Sequence, residues 1–130
     1  MINLALVGCG RISYKHISSI LNLNEKLRLV AICDKNSKNL QESHELILKL
    51  SKESNITVNN PMLFSDYDLL LKEFGLGNII IDLIVLCTPS GIHVDQAEKA
   101  GELGINVITE KPLATNLKDG LRLIKGFEKS

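Results

Sequence analysis

Residues 2–13 read Ile2-Asn3-Leu4-Ala5-Leu6-Val7-Gly8-Cys9-Gly10-Arg11-Ile12-Ser13: an apolar run that enters a glycine turn and leaves it as a helical pattern. A continuous apolar stretch of this length reads as a strand buried on both faces. Two glycines then let the backbone turn sharply and approach a bound group closely, while the next helix aims its unpaired N–H groups and positive dipole end at the same place. A pyrophosphate is the anion such a turn suits, so the stretch predicts a dinucleotide ligand. Ser13 stands where a third glycine is usual; it is small enough to keep helix and strand close, and its hydroxyl is expected to face a phosphate.

Working outward, further apolar runs recur at Leu27 to Cys33, Asp82 to Cys87 and Ile105 to Thr109, with a weaker one at Met62 to Phe64. Helical stripes lie between them: Ile12, Ile17, Ile20 and Leu21; Leu40, Ile47 and Leu50; Ile92, Ala97, Ala100 and Leu103; Leu117, Leu121, Ile124 and Phe127. Strands alternating with helix-length crossovers predict an α/β domain, a doubly wound, mostly parallel sheet covered on both faces. Ser65 followed by Asp68 predicts a capped helix start, and Gly104 a left-handed helix terminator. The polar residues from Ser51 to Asn55, continuing to Asn59-Asn60-Pro61, read as a helix end and a surface loop.

Composition excludes several classes. The 130 residues carry 15 basic and 15 acidic side chains and are 45% hydrophobic, which suits one globular domain over 1–130 and predicts no nucleic-acid partner, since polyanion affinity rests on an excess of Lys and Arg. No apolar stretch approaches the roughly 20 residues of a membrane span, and the start lacks the order of a signal peptide, so no membrane association and a cytoplasmic location are expected. Cys9, Cys33 and Cys87 are odd in number and far apart; they predict reduced thiols and no metal site.

Ligands of an open α/β sheet lie beyond the carboxyl ends of its strands, so the segments there are the candidate site. After the second strand comes Asp34, whose carboxylate suits ribose hydroxyls and repels a 2′-phosphate, favouring NAD over NADP. Lys35 beside it offsets part of that repulsion and leaves NADP open; the competing role for Asp34 is to cap a helix over Asn36 to Ser51. After the Asp82 to Cys87 strand come Thr88-Pro89-Ser90-Gly91-Ile92-His93, bordering the nicotinamide side; His93 is read as packing that loop rather than as an acid or base. His16 and His44 are read as packing or surface residues. After the last strand come Glu110-Lys111-Pro112. A proline that stops the extended run fixes the charged pair at the crevice, where Lys111 suits a hydrogen bond to a substrate hydroxyl and stabilisation of alkoxide character; a solvated ion pair is the alternative.

Together, Gly8-Cys9-Gly10-Arg11-Ile12, Cys87-Thr88-Pro89-Ser90 with His93, and Glu110-Lys111-Pro112 make the chain resemble the N-terminal domain of the glucose-fructose oxidoreductase, inositol dehydrogenase and rhizopine catabolism (Gfo/Idh/MocA) family. The resemblance implies an NAD(P)-dependent sugar or cyclitol dehydrogenase, with Lys111 as the catalytic lysine and Gly8, Gly10, Arg11, Ile12, Asp34, Thr88, Pro89, His93 and Glu110 around the cofactor, Glu110 near the nicotinamide ribose. It also implies a C-terminal antiparallel sheet domain that binds substrate and through which such enzymes form homo-oligomers; with only five strands before Ser130, the chain reads as the front of a longer enzyme. The wording of 88–93 and 110–115 is most similar to members that oxidise UDP-N-acetylaminosugar uronates at the 3-position in surface-polysaccharide synthesis. A non-catalytic nucleotide-sensing module is the alternative reading. A methyltransferase shares the glycine turn but has no use for Glu110-Lys111-Pro112.

Overall fold

The structure, a computed structural model, describes residues 1–56, 60–110 and 117–129. Strand β1 spans Ile2–Val7, β2 Leu27–Cys33, β3 Met62–Phe64, β4 Leu83–Leu86 and β5 Asn106–Thr109; helix α1 spans Ser13–Asn22, α2 Ser37–Glu53, α3 Tyr67–Gly75, α4 His93–Glu102 and α5 Leu117–Lys129. The five strands form one sheet in the order β3-β2-β1-β4-β5, and all four pairings are parallel. This is the doubly wound α/β architecture. After β3 the chain returns to the other side of β1, so the crevice between the carboxyl ends of β1 and β4 is the topological switch point.

Alternation along β1 divides the core. Leu4 and Leu6 pack with Ile17, Ile20 and Leu21 of α1 and Ile47 of α2, whereas Ala5 and Val7 pack with Leu70 and Leu71 of α3 and Val94, Ala97 and Ala100 of α4. The β1–β2 register skips Val30, pairing Leu4 with Leu29 and Ala5 with Ala31. Leu29 and Ile32 consequently serve the same face although they are three apart. Burying both faces is why these strands read as unbroken apolar runs.

Several expected boundaries shift for local reasons. β5 begins at Asn106 rather than Ile105 because the Ile105 N–H donates to the Ala100 carbonyl at 3.0 Å, closing the α4 terminus around Gly104, which has φ +77°. β4 is shorter than Asp82 to Cys87: the Asp82 N–H still donates to the Asn3 carbonyl at 2.7 Å, but the Asn3 N–H turns to the Asp82 carboxylate at 2.8 Å rather than to a backbone carbonyl. The cap of α3 is Asp66, which accepts from the Asp68 N–H at 2.9 Å, not Ser65. Helix α2 starts at Ser37 under an Asn36 cap and runs on to Glu53. Of the expected stripes, Ile12, Ile92 and Leu103 lie at exposed helix ends, and Leu121 and Ile124 of α5 are also exposed; Phe127 holds α5 by packing its ring on Gly101.

Candidate active site

At the carboxyl ends of the strands lies a cavity of about 690 Å3. Its rim is laced by backbone hydrogen bonds made one residue beyond each strand: Gly8 N–H to the Cys33 carbonyl (2.8 Å), Asp34 N–H to Phe64 (3.1 Å), Cys87 N–H to Val7 (2.7 Å) and Glu110 N–H to Leu86 (3.2 Å). The ladder therefore runs right up to the site and fixes the four loops against one another.

From β1 the cavity takes Gly8, Gly10, Arg11 and Ile12. Gly8 has φ +92°, and a Cβ there would sit 2.7 Å from the Cys87 carbonyl carbon and the Thr88 nitrogen, so only glycine lets β1 and β4 converge. Gly10 is different: a Cβ there would meet no protein atom within 4 Å, and it borders the open cavity. The cap position of α1, Ile12, makes no side-chain cap hydrogen bond, leaving the N-terminal dipole of the helix available to an anion. Ser13 departs from expectation. Its hydroxyl is buried and donates to the Gly10 carbonyl at 2.5 Å, bracing the turn from inside rather than facing a phosphate.

From β2 comes Asp34. One carboxylate oxygen accepts from the Cys9 N–H at 2.7 Å and the other from the Asn36 N–H at 2.8 Å. The cap of α2 itself is Asn36, which accepts from the Lys38 and Asn39 N–H groups, so capping is not the main work of Asp34. From β4 come Thr88, Pro89 and His93. His93 is 1% exposed and its Nε2 donates to the Thr88 carbonyl at 2.5 Å, while the Thr88 hydroxyl donates to the Gln96 side chain at 2.5 Å. Tyr67, whose hydroxyl donates to the Gln96 carbonyl at 2.6 Å, completes that wall. From β5 comes Glu110; Lys111, the candidate catalytic residue, lies outside the described residues.

Every described candidate thus borders one cavity. Lys35, expected beside Asp34, lines it too, and Tyr67, Gln96 and Asn39 join them there; these three carry no motif of their own, and only the fold brings them in. His16 was also not read as a site residue, yet its Nε2 meets the Glu110 carboxylate across the crevice mouth. His44 lies elsewhere, against Asn60 at 3.3 Å. The three thiols are free. Burial pushes Cys9 up to about 11 and Cys33 and Cys87 to about 12, so all three stay protonated at neutral pH and are poor nucleophiles.

A diglycine turn against an uncapped helix start, an acid at the end of β2, and a cavity at the switch point define a dinucleotide-binding α/β domain. The chain belongs to the Gfo/Idh/MocA oxidoreductase family with its NAD-binding Rossmann fold, whose family model matches residues 2–130. Among solved structures it is similar to the WlbA dehydrogenase from Bordetella pertussis in complex with NADH and UDP-GlcNAcA, at 35% identity and TM-score 0.79 over 98% of this chain and 34% of that one. The WlbA dehydrogenase from Chromobacterium violaceum, also with NADH and UDP-GlcNAcA, is 30% identical with TM-score 0.80 over 98% of this chain and 32% of that one. A curated relative, the uncharacterized oxidoreductase YfiI of Bacillus subtilis (strain 168), is 27% identical over 89% of this chain and 28% of its own length. The chain spans about a third of the length of these relatives. The domain is an NAD-binding one, and the residues present fit a dinucleotide: the space over Gly10 is open to the close backbone approach a pyrophosphate needs, and the Asp34 carboxylate borders the same cavity. Among the described residues no helix is long and apolar enough to cross a membrane.

Proposed function

We propose that residues 1–130 are the cofactor-binding part of a nucleotide-sugar dehydrogenase that oxidises a UDP-N-acetylaminosugar uronate at the 3-hydroxyl. The carrying observation is that the loops after β1, β2, β4 and β5 all open on one cavity, so a cofactor lying across them meets groups of different chemistry along its length. The likeness to two WlbA dehydrogenases solved with UDP-GlcNAcA supports the substrate class.

Bound NAD supplies the hydride acceptor. The glycine turn and the start of α1 hold the pyrophosphate; Asp34 accepts from the adenosine ribose hydroxyls and disfavours a 2′-phosphate, giving NAD preference over NADP. The Thr88 to His93 loop walls the nicotinamide side. Lys111 hydrogen-bonds the reacting hydroxyl and stabilises the negative charge that grows on its oxygen, an interaction stronger in the transition state than in the ground state. Mixing the enzyme with NAD and UDP-GlcNAcA and following the absorbance of NADH tests the reading. NADH formation is expected; turnover of inositols with none of UDP-GlcNAcA would overturn the substrate assignment.

A further inference from the structure

The imidazole of His16, in the middle of α1, contacts the Glu110 carboxylate at the end of β5, across 94 positions of sequence. Both side chains are 30% exposed. A carboxylate only accepts, so the ring nitrogen that faces it carries the proton. Glu110 is then held twice, by its backbone N–H on the Leu86 carbonyl and by its side chain on α1. The pair sits at the half-buried edge of the domain rather than in its core. A second, smaller cavity, lined by Ile12, Lys15, His16, Ser19 and Glu110, opens beside it at the mouth of the crevice.

We propose that His16 is a positioning residue for the nicotinamide half of the cofactor, acting by fixing the Glu110 carboxylate at the rim. The inference rests on reading Glu110 as a neighbour of the nicotinamide ribose. An unanchored glutamate at a strand end would sample several rotamers, and ordering it only when cofactor arrives would cost affinity. With the imidazole in place that ordering is already made. The Cys87 thiol, within 4.8 Å of both groups, completes the cluster; burial and the Glu110 charge keep it protonated, so it adds no competing anion.

The test titrates the 130-residue chain with NADH, followed by nicotinamide fluorescence, and in parallel with ADP, which lacks the nicotinamide ribose. His16→Ala should weaken NADH by about three- to tenfold, the range of one hydrogen bond, and change ADP affinity less than about twofold. Damage to α1 itself would instead weaken both ligands, because the start of α1 faces the pyrophosphate they share, and would overturn the proposal. His16→Gln, whose amide also donates, should recover most of the loss. In the Glu110→Ala background, which removes the acceptor, His16→Ala should add little further. If Glu110→Ala leaves NADH affinity unchanged, the placement of Glu110 fails and the inference with it. If Glu110→Ala weakens NADH but His16→Ala does not, the placement stands and the role of His16 is wrong.

Discussion

The Asp34 carboxylate accepts the backbone N–H of Cys9 at 2.7 Å, tying the end of β2 to the residue between the two glycines of the turn after β1. A single acid thereby braces the glycine turn and borders the same cavity, where it is proposed to meet the adenosine ribose.

Asp34→Ala should therefore do two things. NADH binding should weaken and preference for NAD over NADP erode, because the acceptor for ribose hydroxyls and the charge facing a 2′-phosphate leave together. Stability should fall by roughly 1–2 kcal/mol, because two backbone N–H groups lose a charged acceptor. Parallel NADH and NADPH titrations with a denaturant melt check both; unchanged discrimination would remove Asp34 from the ribose site.

Gly8 and Gly10 should separate structure from binding. Gly8→Ala imposes φ +92° on a side chain and drives its Cβ to 2.7 Å from the Cys87 and Thr88 backbone, so it should destabilise the fold by more than about 2 kcal/mol. Gly10→Ala meets no protein atom; stability should stay within about 1 kcal/mol while NADH affinity drops at least about tenfold, as the methyl enters space the cofactor needs. A Gly10→Ala protein that binds NADH normally would show that the pyrophosphate lies elsewhere.

Alkaline pH should destabilise the domain through its thiols. Burial raises Cys9 from 9.0 to about 11 and Cys33 and Cys87 from 9.0 to about 12, so above pH 9 the unfolded chain loses thiol protons that the folded chain keeps. Stability from this source is fully present below pH 9 and declines as pH rises from 9 towards 12. Denaturation midpoints across that range should fall, and less steeply in Cys33→Ala, compared from each protein's own value at pH 8. Equal slopes in both proteins would contradict the assignment to Cys33.

Lys111→Ala, in the enzyme turning over UDP-GlcNAcA, should lower kcat by about a hundredfold or more while NADH affinity changes less than about threefold, because the ammonium group is proposed to act on charge that appears only in the transition state. A comparable loss in cofactor affinity would make Lys111 a binding residue instead.

The chain itself dictates most of the architecture. Strands covered on both faces need near-continuous apolar runs, so β1 and β2 can be read from their first residue to their last, as can the short edge strand β3 from its apolar Met62-Leu63-Phe64, and the glycine pair announces the turn because few other residues tolerate the backbone there. Choices between neighbouring polar groups are harder to read: Asp66 rather than Ser65 caps α3, and Ser13 turns its hydroxyl inward, because which oxygen reaches an N–H or carbonyl depends on backbone angles that no residue type specifies. Contacts between remote elements leave no local trace at all. Tyr67 and Gln96 enter the cavity wall, and His16 meets Glu110 from 94 positions away, only because the parallel crossovers carry every strand end to one rim. Periodicity encodes what each segment buries; folding alone decides which distant side chains then face each other across the crevice.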